Sequence, residues 1–410
     1  MKTYREVRRT SCPLRSFDGL EVRRTVKGHL PLALLATVCH PIGRIRNGGE
    51  ASGKLHHQRL PMNIKQTPAP DTPLRFAILG CGRMGRMHIE RLIADGRGQA
   101  VALFDTQLNA IESLRQELAP DARGFTNFDE LLAQTDADAA IIGTPTSLHC
   151  EHIRACRARG WHVLCEKPLV DRREHLLSLI DETRRGPALS VAYQRRYWPV
   201  YRVLREELQS GRWGAIRTVT SINSERWQQT IGGTWRDDPA INLGGFLGDA
   251  GSHKIDLAFF LTGLKPIDVF ARNQTCGSQV EIVSSLSARL ERDVLLTMHF
   301  TGSSQTFRED FHFHCEHADL LVRDWQIWLG RNNTLEPLKV ADPRWQPAMG
   351  VSPIGNSELD LLGNPVRGFL DQLLLGTPPI APPECALPVF DFTQAALQSG
   401  RSHAVEAVVE

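Results

Sequence analysis

The chain has 410 residues, room for two domains of ordinary size, and its composition, 41% hydrophobic and 23% charged, is that of a folded globular protein. The net charge of +2 hides an asymmetry: residues 1–61 carry twelve Lys and Arg against four Asp and Glu, which leaves the remainder at −6, a balance with nothing to offer a nucleic acid. Nine cysteines, an odd number without a Cys-x-x-Cys pair, argue against a disulfide framework or a zinc ribbon; free thiols in a reducing cytoplasm are expected.

Residues 1–61 are expected to contribute nothing to the fold, and they admit three readings. Met62 opens a proline-rich lead-in (62–73), so translation could begin there and leave 1–61 as a dispensable upstream artefact. Val22-Arg-Arg-Thr-Val-Lys before the apolar Leu30–Val38 resembles a twin-arginine export signal, against which stand a long basic region, a short apolar one and no clear cleavage site. An Arg-rich, acid-poor leader also suits an organellar transit peptide. Leu30–Cys39 is too short to cross a bilayer, so no membrane span is expected and a cytoplasmic location is preferred over export.

From Leu74 to about Val191, apolar strand patterns (75–79, 100–105, 122–125, 138–143, 161–165, 188–192) alternate with helical ones (84–96, 107–118, 128–133, 147–159, 171–185). That alternation predicts an α/β Rossmann domain, a doubly wound parallel sheet, over 74–192. Beyond Pro199 a helix (199–210) leads into strands 216–224, 267–274, 279–290, 293–301, 308–315 and 319–329 without helices between the later ones, and helices at 361–375 and 388–399 close the chain. Successive strands of this kind predict an α+β domain with a large, mostly antiparallel sheet over 193–410.

The first βα turn carries the strongest signal. Gly80, Gly82 and Gly85 in Gly80-Cys-Gly-Arg-Met-Gly85 follow an apolar strand and open a helix, the pattern that lets a backbone turn sharply, approach a pyrophosphate and aim helix amides at it. Arg83 and Met84 sit in the same turn, and Asp105 ends the next strand, about twenty residues on, where a carboxylate can accept the ribose hydroxyls of a dinucleotide. A carboxylate there repels a 2′-phosphate, so NAD is expected rather than NADP. The plain alternative is a tight turn with no ligand. Cys81 and Cys165 are read as small buried residues, not redox groups.

Two further strands end at the same edge of a parallel sheet. Strand 138–143 runs into Thr144-Pro145-Thr146-Ser-Leu-His149, and strand 161–165 into Glu166-Lys167-Pro168, where a lysine is well placed to hold a substrate hydroxyl. In Gly244-Gly-Phe-Leu-Gly-Asp249-Ala-Gly-Ser-His253-Lys-Ile-Asp256, Asp249 and His253 share a face if a helix begins at Asp249, and a carboxylate beside the imidazole would raise its pKa and orient it as a base. An N-capping aspartate with an incidental histidine is the alternative.

Those segments, with Tyr193-Gln-Arg-Arg196, resemble over residues 74–400 the glucose–fructose oxidoreductase, inositol dehydrogenase and rhizopine catabolism (Gfo/Idh/MocA) family. The resemblance implies a sugar or cyclitol dehydrogenase that passes a hydride to NAD. It assigns Lys167 to substrate and nicotinamide ribose, Asp249 to substrate and His253 to the general base. Thr144, Pro145, His149 and Glu166 join the cofactor site, Arg195, Arg196 and Trp235 are expected as substrate contacts, and a homodimer or homotetramer through the antiparallel sheet is implied. Phe246 stands where many members have a third glycine, which is expected to reshape the substrate end. Residues 225–236 are either a pocket wall, with Trp stacking on sugar C–H faces, or ordinary packing. An NAD-dependent glycosidase that oxidises transiently and eliminates is the main rival; a non-catalytic dinucleotide sensor has no use for Lys167, Asp249 and His253 together. Phe311-His-Phe-His-Cys-Glu-His317 looks like a ligand cluster, but its alternation predicts a strand with one buried and one wetted face and no metal.

Overall fold

A computed structural model of the chain describes residues 72–408 apart from 243 and 344, so the three readings of residues 1–61 lie outside the described residues. Strands β1 (Leu74–Leu79), β2 (Gly98–Phe104), β3 (Arg123–Phe125), β4 (Ala139–Ile142), β5 (His162–Cys165) and β6 (Leu189–Val191) are joined by helices α1 (Arg83–Asp95), α2 (Leu108–Glu117), α3 (Phe128–Gln134), α4 (Thr146–Ala158) and α5 (Arg173–Thr183). The strands make a parallel sheet in the order β3-β2-β1-β4-β5-β6. Its central strands read as unbroken apolar runs because both faces are covered: all four residues of β4 are buried. The order reverses between β1 and β4, which places a crevice at the carboxyl ends of those strands.

The chain continues through α6 (Pro199–Gln209), β7 (Ile216–Arg226), two single-turn helices α7 (Gln228–Ile231) and α8 (Gly245–Gly248), and α9 (Ser252–Thr262). Strands β8 (Pro266–Gln274), β9 (Val283–Leu290), β10 (Leu295–Thr301), β11 (Ser303–Cys315), β12 (Asp319–Arg323), β13 (Gln326–Arg331) and β14 (Thr334–Pro337) follow. Helices α10 (Ser357–Leu362), α11 (Pro365–Leu375) and α12 (Ala386–Ser402) precede the short β15 (Glu406–Ala407). The second sheet has nine strands in the order β14-β13-β12-β11-β7-β10-β9-β8-β15, antiparallel throughout except where β7 lies beside β10. Alternate residues of β9 and β10 are buried and exposed, as in a sheet with helices on one face only. Among the described residues no helix is long and apolar enough to cross a membrane.

Two expectations change. The run 319–329 is not one strand but the hairpin β12–β13, turned at Asp324 and Trp325 with φ of 49° and 62°. Positive φ at both central residues is the turn that follows strand twist, and Asp-Trp lacks the glycine that usually announces it. The segment after residue 193 also contributes to the core of the parallel sheet. Val366, Phe369 and Leu370 of α11 join Phe76, Ile78 and Ile141 in one buried cluster, and Arg91 of α1 forms a two-pronged pair with Asp360 of α10 at 2.7 and 2.8 Å. Helices α4 and α5 cross the opposite face and α1 reaches only as far as β4, so β5 and β6 would be bare on the α1 side without this returning segment.

Candidate active site

The glycine turn is shaped to hold an anion. Gly80 has φ of +95°, and a Cβ there would stand 2.7 Å from the Gly143 carbonyl oxygen; one at Gly85 would stand 2.0 Å from that of Gly80. At Gly82, by contrast, nothing lies within 4 Å of where a Cβ would be, so a ligand can approach the backbone closely. No side chain caps α1 at Gly82 and its first turn, beginning at Arg83 and Met84, holds no acid; its amide hydrogens are left for a phosphate. Asp105 follows β2 directly and accepts from the amides of Cys81 and Gln107 at 2.8 and 2.9 Å, which fixes the carboxylate beside the glycine turn with lone pairs left for ribose hydroxyls. The residues present thus fit a dinucleotide. Burial pushes the Cys81 thiol up to about 12, which disfavours its thiolate, and Cys165 is likewise raised.

The other two turns are laced to this one. His149 is buried, with Nε2 2.8 Å from the Thr144 carbonyl and Nδ1 3.0 Å from that of Pro168, so it staples the Thr144-Pro145 turn to the Lys167-Pro168 turn. Glu166 is buried against Nε2 of His88 on α1 at 2.8 Å; burial would raise its carboxyl, but His88 and Lys167 outweigh that and hold it low. Glu166 therefore braces the crevice from within, while Lys167 points across it. Lys167 Nζ donates to Asp249 Oδ1 at 2.8 Å and to its carbonyl at 3.0 Å.

Here the expected Asp249–His253 pair is corrected. Asp249 is not on the histidine's helix: it ends α8 with non-helical φ and ψ, and α9 begins only at Ser252. Its two oxygens are taken by Lys167 and, at 2.9 Å, by Nε of Arg236. Burial would raise the Asp249 carboxyl, yet the two cations prevail and keep it ionised. His253 is buried, its ring edge-on to Tyr193 at 6.2 Å, and Nδ1 has no hydrogen-bond partner among the described residues. Burial, then Lys167, Arg195 and Lys254, push its pKa well below the ordinary value, the reverse of the expected rise.

Arg195 and Arg196, expected at the substrate, are buried in ion pairs. Arg195 binds Glu309 of β11 at 2.7 and 2.9 Å, and Arg196 binds Asp256 of α9 at 2.6 and 2.9 Å and the Ile380 carbonyl. Arg195 adds to the positive field at His253, and Arg196 ties α9 to the Ile380 segment. Trp235 opens a short turn, but its side chain lies outside the described part of the structure. Phe246 does not reshape the substrate end: it is 1% exposed and packs on Trp227 and Phe300 at 5.5 and 6.4 Å, pointing into the core. Segment 225–236 serves both alternatives, since Trp227 packs while Arg236 reaches Asp249.

Lys254 was missed. It is fully buried beside His253, paired with Glu225 and 3.9 Å from Glu309, which also accepts from the Tyr201 hydroxyl at 2.6 Å. Its signal was an acid, Glu309, at an inward position of a strand whose other inward residues are Phe311 and Phe313. A cavity opens over Asp249 and Ser252, walled by Pro168, Tyr193, Asn242 and Phe390.

Residues 74–193 match the family described as "Oxidoreductase family, NAD-binding Rossmann fold", and residues 201–321 the "GFO/IDH/MocA C-terminal domain". Inositol 2-dehydrogenase of Rhizobium meliloti is 28% identical over 201 residues, 48% of this chain and 58% of that one, so the chain spans a little over half the length of the curated relative it matches. Among solved structures, the WlbA dehydrogenase of Bordetella pertussis in complex with NADH and UDP-GlcNAcA superposes with a TM-score of 0.67 at 22% identity, covering 83% of this chain and 100% of that one. An oxidoreductase domain protein of Kribbella flavida gives 0.74 at 19%, covering 83% and 100%. Those identities speak for the fold alone. The two matched domains, in this order and around this glycine turn, make the chain a member of the Gfo/Idh/MocA family with an NAD-binding Rossmann domain.

Proposed function

We propose that the protein is an NAD-dependent dehydrogenase acting on a secondary alcohol of a sugar, sugar derivative or cyclitol. The observation that carries this reading is the contact of Lys167 with Asp249, which joins the crevice end of β5 to the end of α8 and holds a cation beside the buried imidazole of His253. Bound NAD supplies the hydride acceptor. His253, neutral at pH 7, takes the hydroxyl proton; Lys167 compensates the charge that develops on the oxygen; Asp249, held from both sides, orients Lys167 and accepts from a neighbouring hydroxyl. The substrate class is supported by the names of relatives, an inositol dehydrogenase and a dehydrogenase holding a sugar nucleotide. Asp105 supports NAD over NADP.

A panel of cyclitols, sugars and glycosides with NAD and with NADP tests the reading. NADH should accumulate with a polyol and vanish in His253→Ala. Release of an aglycone without net NADH would replace the dehydrogenase by the glycosidase, which no relative named above supports.

A further inference from the structure

β11 has two faces of different chemistry. Glu309, Phe311 and Phe313 point inward, whereas Asp310, His312 and His314 line the outer face. β12 runs antiparallel beside it and sets Asp319 directly opposite His314. His314 Nδ1 lies 2.9 Å from Asp319 Oδ1, His312 Nε2 lies 3.8 Å from Oδ2, and the imidazole centroids are 3.8 Å apart. One ligand atom from each of the three residues lies within 4.8 Å of the other two. His314 is hydrogen-bonded to Asp319, whereas His312 Nε2, 3.8 Å from the same carboxylate, is buried and has no hydrogen-bond partner among the described residues.

Donor atoms around a tetrahedral zinc ion stand about 3.3 Å from one another, so side-chain shifts of about an ångström would close this triad on a metal. Two imidazoles and a carboxylate suit a late first-row divalent ion and not Mg²⁺ or Ca²⁺. Arg308 and Arg323 share Asp310 at 2.6 and 3.6 Å, which offsets part of their charge beside the group. Cys315 is not part of the group: only His312, His314 and Asp319 bring donor atoms within 4.8 Å of one another. His317 sits in the exposed turn past the end of β11.

We propose that His312, His314 and Asp319 form a zinc site on the outer face of the second sheet, clipping β11 to β12 with water completing the coordination. Two of the residues belong to the His-rich run whose alternation alone suggested no metal; the third comes from the next strand. The site is independent of the dehydrogenase reading.

The full chain, stripped with chelator, is titrated with Zn²⁺ by calorimetry, and metal content is measured after desalting. One equivalent per chain is expected, together with a visible absorption band on Co²⁺ substitution and a rise in melting temperature with zinc. Asp319→Asn should weaken binding about tenfold or more, and His312→Ala/His314→Ala should remove the equivalent, the band and the thermal shift while leaving turnover unchanged. Because these side chains face outward, the variants should melt near wild type without zinc. Failure of the wild type to retain stoichiometric zinc, or equal retention by the double variant, overturns the site.

Discussion

On the Rossmann side of the crevice the groups that meet a ligand are mostly backbone: amides of the Gly82 turn, a cap-free helix end, and Asp105, itself held by two amides. Across the crevice nearly every polar group is a charged side chain held by another charged side chain, Lys167 and Arg236 on Asp249, Arg195 on Glu309, Lys254 on Glu225, Arg196 on Asp256. Backbone recognition is local and costs little when one side chain changes. A buried ionic network is tuned for chemistry, but losing one member strands its partner in a low dielectric. The two halves should therefore fail in different ways.

The sharpest contrast is catalytic. His253→Ala should lower turnover by roughly a hundredfold or more at neutral pH while NAD affinity, followed by fluorescence titration, stays near wild type. Near-full activity would remove His253 from the mechanism. Lys167→Met should lose a similar factor and also raise KM, since it touches the substrate side.

Next comes stability. Glu309→Ala leaves Arg195 buried without its carboxylate and should cost about 3–5 kcal/mol in urea unfolding. Asp105→Ala should leave stability nearly unaltered yet narrow the preference for NAD over NADP. If Asp105→Ala unfolds as readily as Glu309→Ala, the two sides are not built on different principles.

A third effect depends on pH. Burial holds His152, packed between Phe104 and Phe128, down to about 4, and lowers His149 and His253 as well. The unfolded chain binds these protons near pH 6.5, the folded chain only below, so stability is full above pH 6.5 and falls as pH drops towards 4, by about 1.4 kcal/mol per unit for His152. Chemical denaturation across that range checks the slope, which His152→Asn should flatten. The smallest effect on turnover is expected from Lys254→Met, although it strands the Glu225 carboxylate and should lower stability. Removing that cation should move the acid limb of kcat/KM, set by His253, upward towards the ordinary imidazole value; an unmoved limb would mean that Lys254 serves packing alone.

Legibility divided along the same line. The first six strands and five helices were readable to within a few residues because each is a local apolar pattern closed by a turn signal, and the glycine turn with Asp105 is itself local. The partners of Asp249 were not readable. Spacing placed it with His253 on one helix, but the helix starts three residues later, and Lys167 and Arg236 reach the carboxylate from residues far off and near. Nor could spacing say that Phe246, in a glycine's place, would turn inward on Trp227.

By itself the sequence determined what depends on neighbours along the chain: a parallel sheet followed by an antiparallel one, the dinucleotide turn, and the carboxyl-end turns at Thr144 and Glu166. Only the tertiary structure decided which charges meet. It brought α11 back under the parallel sheet, paired Arg195 with Glu309 from 114 residues away, surrounded His253 with cations, and set Asp319 across from His314. The reason is physical. A helix or strand pattern is a property of consecutive residues, whereas the pKa of a buried imidazole is the sum of burial and of charges delivered by strands and helices that the pattern does not connect.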